Sequence, residues 1–157
     1  MSGATKSLSR RGFTLADLMI TVLIIGILSA VSTPRMIDTF SELQLEAAAK
    51  QVASDLRYAR QCAKTGGRNQ SVTFNPGNNS YELNGMKDIF RSSKPFVVVL
   101  PNSSYPANIN SATFGAGAVV TFDMYGRPDN GGAVVVGKDG ATKTVQVNAT
   151  TGEVSIP

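Results

Sequence analysis

Hydrophobic and polar positions divide the chain into three regimes. Residues 13–33 are almost wholly apolar and carry one charge, Asp17. A helix over these 21 residues rises about 31 Å, the thickness of a bilayer core, so the pattern predicts a membrane span. Thr21, Gly26 and Ser29 interrupt the aliphatic run. Such small breaks either let neighbouring helices approach closely or are merely tolerated against lipid. Pro34 lacks an amide donor and disfavours helical geometry at Thr33, so the helix is expected to kink or end there.

The second regime runs to about Thr65. Leu45, Ala49, Val52, Leu56, Ala59 and Ala63 recur at spacings of four and three and draw one apolar stripe. Glu42, Glu46, Lys50, Arg57, Gln61 and Lys64 fall on the other face, with Glu46 and Lys50 in the favourable i, i+4 order. Gly66-Gly67 supplies the stop, with Lys64 near the negative end of the helix dipole. In the third regime short β-rich runs, at 71–74, 80–83, 96–100, 118–122, 133–136, 143–147 and 153–156, alternate with Gly, Asn, Asp and Pro turns. Residues 101–117, rich in Asn, Ser, Gly and Pro, are expected to form a long surface loop.

The half-polar helix must bury its stripe, and the β-rich part offers the matching surface. The predicted fold is therefore α+β: a long N-terminal helix, transmembrane in its first half and amphipathic in its second, packed on an antiparallel β-sheet. The expected divisions are a leader at 1–12, a membrane helix at 13–34, and an exported domain at 35–157.

Charge sharpens the first division. Of 15 basic side chains three, Lys6, Arg10 and Arg11, lie in the leader, which leaves 12 against 11 acids in the remainder. The net charge of +4 is thus mostly a leader property, and general polyanion binding loses its main support. Basic residues ahead of the span keep the N-terminus cytoplasmic and send the rest outward.

Histidine is absent and Cys62 is the single cysteine. That excludes a Ser-His-Asp triad, a Cys-His pair, His-ligated zinc and an intrachain disulfide. Cys62 is expected to be buried and inert, with an intermolecular bridge as the other reading. No catalytic residue, cofactor or metal is predicted. Asp123, Asp129 and Asp139 cluster in the β region and permit a calcium reading, but all sit in turn contexts that favour Asp for backbone reasons.

Asp17 has two readings. Thr14-Leu15-Ala16-Asp17 has the spacing of a capping box, which would set the acid in the positive first turn of the helix. Alternatively the acid has a partner elsewhere, because a lone carboxylate in a membrane costs about 2.5 to 3.5 kcal/mol near the centre.

Arg10-Arg11-Gly12-Phe13-Thr14-Leu15, the uncharged run, an acid five residues in and Pro34 together resemble the leader and N-terminal helix of type IV pilins and type II secretion pseudopilins. The segment 55–63, followed by Gly66-Gly67, is similar to the GspH/FimT group of minor subunits, as is 122–128 ahead of 151–154. The resemblance implies a structural subunit held in the bacterial inner membrane with its C-terminal domain in the periplasm. It implies that a prepilin peptidase cuts between Gly12 and Phe13 and methylates the new Phe13 amine. It also implies an inner-membrane assembly platform and packing against other pilins or pseudopilins through the N-terminal helices. Asp17 stands where the family usually has glutamate; it keeps the charge and shortens the reach by one methylene. A protonated Phe13 amine on a neighbouring subunit would be its partner.

On this reading the chain is a minor pseudopilin of a type II secretion system, with a FimT-like type IV minor pilin as the alternative. Two rivals stand beside it. Ala30-Val31-Ser32 offers an ordinary signal-peptidase site, which would put the mature terminus near Thr33. Arg57, Arg60 and Lys64, with Arg68 following, offer a phosphate-contacting stripe for nucleic acid, against the plainer reading of a solvated helix face. Some FimT-like minor pilins take part in DNA uptake, but the family's basic motif is incomplete here, since Gly126-Arg127 is followed by Pro128-Asp129.

Overall fold

The computed structural model describes residues 13–88 and 93–157, with the side chains of 30–38 outside the description. The expected leader, including Lys6, Arg10, Arg11 and Gly12, lies outside the described residues. The chain divides into two compact units, Met1–Asp38 and Thr39–Pro157.

One helix, α1 (Leu15–Gly66), contains 52 residues and is helical through position 34, so Pro34 does not end it. In the first unit the described side chains are exposed, the large apolar ones between 87% at Phe13 and 48% at Ile24. Thr21 Oγ1 donates to the carbonyls of Asp17 and Leu18 at 2.9 and 2.8 Å, and Ser29 Oγ donates to that of Ile25 at 2.7 Å. These hydroxyls are thereby satisfied within the helix. Among the described residues no helix is long and apolar enough to cross a membrane. The span expected at 13–33 runs on into residues whose side chains lie outside the description.

In the second unit α1 behaves as its periodicity predicts. Leu45, Ala49, Val52, Leu56, Ala59 and Ala63 are all buried, and Ala48 and Ala53 widen the stripe. Lys50 Nζ meets Glu46 Oε1 at 2.6 Å on the opposite face. The helix stops where Gly67 takes a φ of 58°, and the Arg68 amide reaches back to the Ala63 carbonyl at 3.3 Å. That pairing satisfies a terminal carbonyl, and its positive φ suits glycine.

Among the described residues eight strands form two four-stranded antiparallel sheets. The first has the order β3-β2-β1-β5, from β1 (Gln70–Asn75), β2 (Ser80–Lys87), β3 (Pro95–Val99) and β5 (Val119–Phe122). The second has the order β4-β6-β7-β8, from β4 (Asn108–Phe114), β6 (Gly132–Lys138), β7 (Ala141–Val147) and β8 (Val154–Ser155). The β6–β7 hairpin turns on Asp139 and Gly140, both at positive φ, as an Asp-Gly pair favours. Alternate strand residues, among them Val72, Phe74, Leu83, Val120, Phe122, Val134, Val136 and Val145, join the helix stripe in one core. Full burial of each large aliphatic side chain contributes about 1.5–3 kcal/mol.

Two expectations need correction. Residues 101–117 are not one long loop, because β4 occupies Asn108–Phe114 and pairs with β6. Its register shifts between Ile109 and Ser111, which breaks the apolar alternation, and its Asn and Ser content resembles that of a loop. Cys62 is half-buried rather than buried. It lies one turn from Tyr58, whose phenol is pushed above its ordinary pKa by a hydrogen bond with Cys62.

Candidate functional site

At the start of α1 the capping box is formed. Thr14 precedes the first helical residue, and its carbonyl accepts from the amides of Asp17 and Leu18 at 3.1 and 3.3 Å. Asp17 Oδ2 accepts from the Thr14 amide at 3.2 Å and from Thr14 Oγ1 at 2.9 Å, while the Asp17 amide donates to Thr14 Oγ1 at 3.3 Å. The negative charge thus sits at the positive end of the helix dipole and satisfies donors that the helix start leaves open. Both readings of Asp17 survive this geometry. Oδ2 takes the cap, while Oδ1 accepts no hydrogen bond among the described residues.

The basic residues of the second half of α1 are drawn into the β-rich part of the same unit. Arg57 donates through Nη2 to the Val154 carbonyl at 2.7 Å. Arg60 donates through Nε to the Gly126 carbonyl at 3.0 Å and through Nη2 to the Thr151 carbonyl at 2.7 Å. Two of the four candidate phosphate contacts therefore hold backbone carbonyls, Arg57 one on strand β8 and Arg60 two in turns. Lys64 lies over Gly126, where an added Cβ would collide with its side chain, and Gly126 also has a φ of 77°. Only glycine suits both demands. Arg68 is exposed beyond the helix end. Gly152 packs so closely that a Cβ there would overlap the Gly126 carbonyl. The loosely matching stretches 55–63, 122–128 and 151–154 are thus one cluster tied together by Arg57 and Arg60.

The three β-region carboxylates make separate contacts, two with local backbone amides and one with a helix hydroxyl. Asp123 Oδ1 accepts from the amides of Tyr125 and Arg127 at 2.9 and 2.8 Å. Asp129 Oδ1 accepts from the amides of Thr121 and Asn130 at 3.0 and 2.8 Å. Asp139 Oδ2 accepts from Ser41 Oγ at 2.9 Å. Among the described residues no group of His, Cys, Asp or Glu is arranged to hold a metal.

One polar contact escaped the sequence reading. Asp55 on α1 accepts a hydrogen bond from the buried Tyr81 hydroxyl of β2 at 2.5 Å. Burial raises the Asp55 pKa above the usual carboxylate value, and the Tyr81 hydrogen bond opposes part of that rise. Burial and the adjacent carboxyl push Tyr81 upward too. Asp55 lies next to the buried Leu56 on the helix, which marks it as bordering the core; its partner on a strand is visible only in three dimensions.

Residues 48–151 match the family model described as Type II transport protein GspH, a range that takes in the buried helix stripe from Ala48 on, strands β1 to β7, and Arg60 with its Gly126 and Thr151 partners. The chain belongs to the GspH family. Its fold is also that of the type IV minor pilin FimU of Pseudomonas aeruginosa strain PAO1, known in two crystal forms. One is 15% identical, with a TM-score of 0.52 over 74% of this chain and 90% of that one. The other is 16% identical, with a TM-score of 0.52 over 72% and 92%. No curated protein matches the chain. Membership makes the GspH-type chain a pilin-like minor subunit, of a family of structural proteins that assemble with other pilins or pseudopilins.

Proposed function

We propose that the chain is a minor pseudopilin of a type II secretion system, anchored in the inner membrane and assembled into a periplasmic filament. The observation that carries this reading is the match of residues 48–151 to a type II transport family. The sequence ahead of it adds a basic leader, a candidate cut between Gly12 and Phe13, and an apolar run starting at the proposed new terminus. Residues 1–12 act as the leader, 13–34 as anchor and assembly helix, and 35–157 as the exported domain. The fold likeness to a type IV minor pilin favours a second reading, service in a type IV pilus.

Processing would give Phe13 a terminal amine, largely protonated at neutral pH. Asp17 can then serve twice, capping its own helix through Oδ2 and receiving a neighbour's Phe13 amine through Oδ1. Such pairing removes the cost of an isolated carboxylate in an apolar surrounding.

Mass spectrometry of the mature N-terminus tests the processing, with a methylated Phe13 expected. A terminus near Thr33 overturns the reading in favour of an ordinary signal peptide. Deletion of the chain separates the two systems: loss of exoprotein secretion supports the pseudopilin, whereas loss of surface pili with secretion intact supports the pilin. Asp17→Asn should leave membrane insertion unchanged and reduce recovery in filaments; unchanged recovery would leave Asp17 as a helix cap alone.

A further inference from the structure

Asparagine followed by glycine occurs twice in the chain, at Asn84-Gly85 and at Asn130-Gly131. In such a pair the backbone amide reaches the preceding side chain most easily, because glycine puts no Cβ in its path. The two sites are alike in sequence, and the fold separates them.

Asn130-Gly131 is held. The Asn130 amide donates to Asp129 Oδ1 at 2.8 Å, and the Asn130 side chain lies against Gly115, where an added Cβ would come within 2.9 Å of the carboxamide carbon. Gly131 packs on Ala149: an added Cβ would sit 2.7 Å from the Ala149 Cβ and 2.8 Å from its amide nitrogen. A ring closing between Asn130 and Gly131 has little room.

Asn84-Gly85 is open. Both residues are exposed, and nothing lies within 4 Å of where a Cβ would stand at Gly85. Gly85 has a φ of 72° within β2, at the register shift between Leu83 and Lys87. Among the described residues, Asn84, Gly85 and Met86 have no partner in the register with β1 or with β3. The backbone can therefore turn here without breaking a ladder. Gln70 Nε2 donates to the Asn84 carbonyl at 2.7 Å, which draws electrons from the peptide bond and makes the Gly85 N–H more acidic. Asn84 Nδ2 donates to Thr73 Oγ1 at 2.9 Å on the exposed surface.

We propose that Asn84-Gly85 is a self-modifying site at which Asn84 becomes aspartate and isoaspartate. The Gly85 nitrogen, its proton lost to solvent, attacks Asn84 Cγ. The Cγ–Nδ2 bond breaks, Nδ2 takes up a proton and leaves as ammonia, and a succinimide remains. Water then adds across a ring C–N bond. Opening at Cγ gives aspartate, and opening at the former main-chain carbonyl gives isoaspartate. The aspartate product keeps its contact with Thr73 by accepting from the hydroxyl. The isoaspartate product lengthens the main chain by one methylene where β2 is already out of register. Either product adds one negative charge. Residues 13–157 then carry 12 basic side chains against 12 acids instead of 11, and a net charge of zero favours association.

Ageing the purified full chain in detergent, folded and in denaturant, with fragment mass spectrometry to locate each conversion, tests this. In the folded chain Asn84 should convert about tenfold or more faster than Asn130, a barrier difference of about 1.4 kcal/mol, with isoaspartate accumulating at position 84. In denaturant the two rates should converge. Equal rates at the two sites in the folded chain overturn the proposal. So does a difference that survives in denaturant, since the fold would then not be what selects Asn84. Aspartate without isoaspartate at position 84 overturns the succinimide route.

Discussion

The two ends of α1 are built from similar aliphatic residues and meet opposite surroundings. Leu23 is 63% exposed, whereas Leu56 is 1% exposed. Between 13 and 29 apolar residues occupy every side of the helix, so no single face distinguishes inside from outside. Beyond Leu45 they keep to one stripe, and two sheets cover it. An all-round apolar helix needs a surrounding, whether lipid or other helices; a striped helix needs only one partner surface, which the chain itself provides. Under the proposed function, assembly and folding fall to different stretches of one helix.

The largest test of this division is truncation on each side of it. Leu56→Ala should destabilise the second unit, Thr39–Pro157, by about 2–5 kcal/mol, read from the denaturant midpoint of the full chain in detergent. Leu23→Ala should move that midpoint by less than about 0.5 kcal/mol and instead reduce recovery in filaments. Equal shifts at the two sites would erase the distinction.

A smaller effect is expected at the rim of the buried stripe. Arg60→Met removes the charged donors of the Gly126 and Thr151 carbonyls and should cost about 1.5–3 kcal/mol by thermal denaturation. Arg68→Met, at an exposed position past the helix, should cost less than about 0.5 kcal/mol. If Arg60→Met were as mild as Arg68→Met, the clamp on the 123–127 loop would have no energetic weight.

The smallest effect is a pH dependence. The folded protein holds the Asp55 proton more tightly than the unfolded chain, whose carboxylate titrates near 3.8. The stabilisation from that proton is fully present below 3.8 and is lost as pH rises through the raised folded pKa. Asp55→Asn, which keeps an acceptor for Tyr81, should flatten this component of a stability-against-pH profile. An unchanged profile would show that Asp55 does not supply it.

Much of the fold was legible because its signals are periodic. The spacing of Leu45, Val52, Leu56 and Ala63 set the buried face, the Glu46–Lys50 spacing set an ion pair, and Gly66-Gly67 set the helix end. The Asp139-Gly140 hairpin was legible from two residues whose backbone preferences match the turn. β4 was not, because a register shift and polar composition hid its alternation. Of the candidate site, the Thr14–Asp17 cap could be read from spacing alone, since both partners lie within one turn of helix.

By itself, then, the sequence determined the helix, its stripe, most of the strands and the family, all of which rest on local spacing or on motifs that keep theirs. Only the tertiary structure decided where Arg57 and Arg60 spend their charge, because their acceptors are backbone carbonyls 66 to 97 residues away. Every residue carries such a carbonyl, so no side-chain pattern announces which one an arginine will meet. The same holds for Asp55 and Tyr81, 26 residues apart. Helix-on-sheet packing brings them together, and burial then gives that single contact its sensitivity to pH.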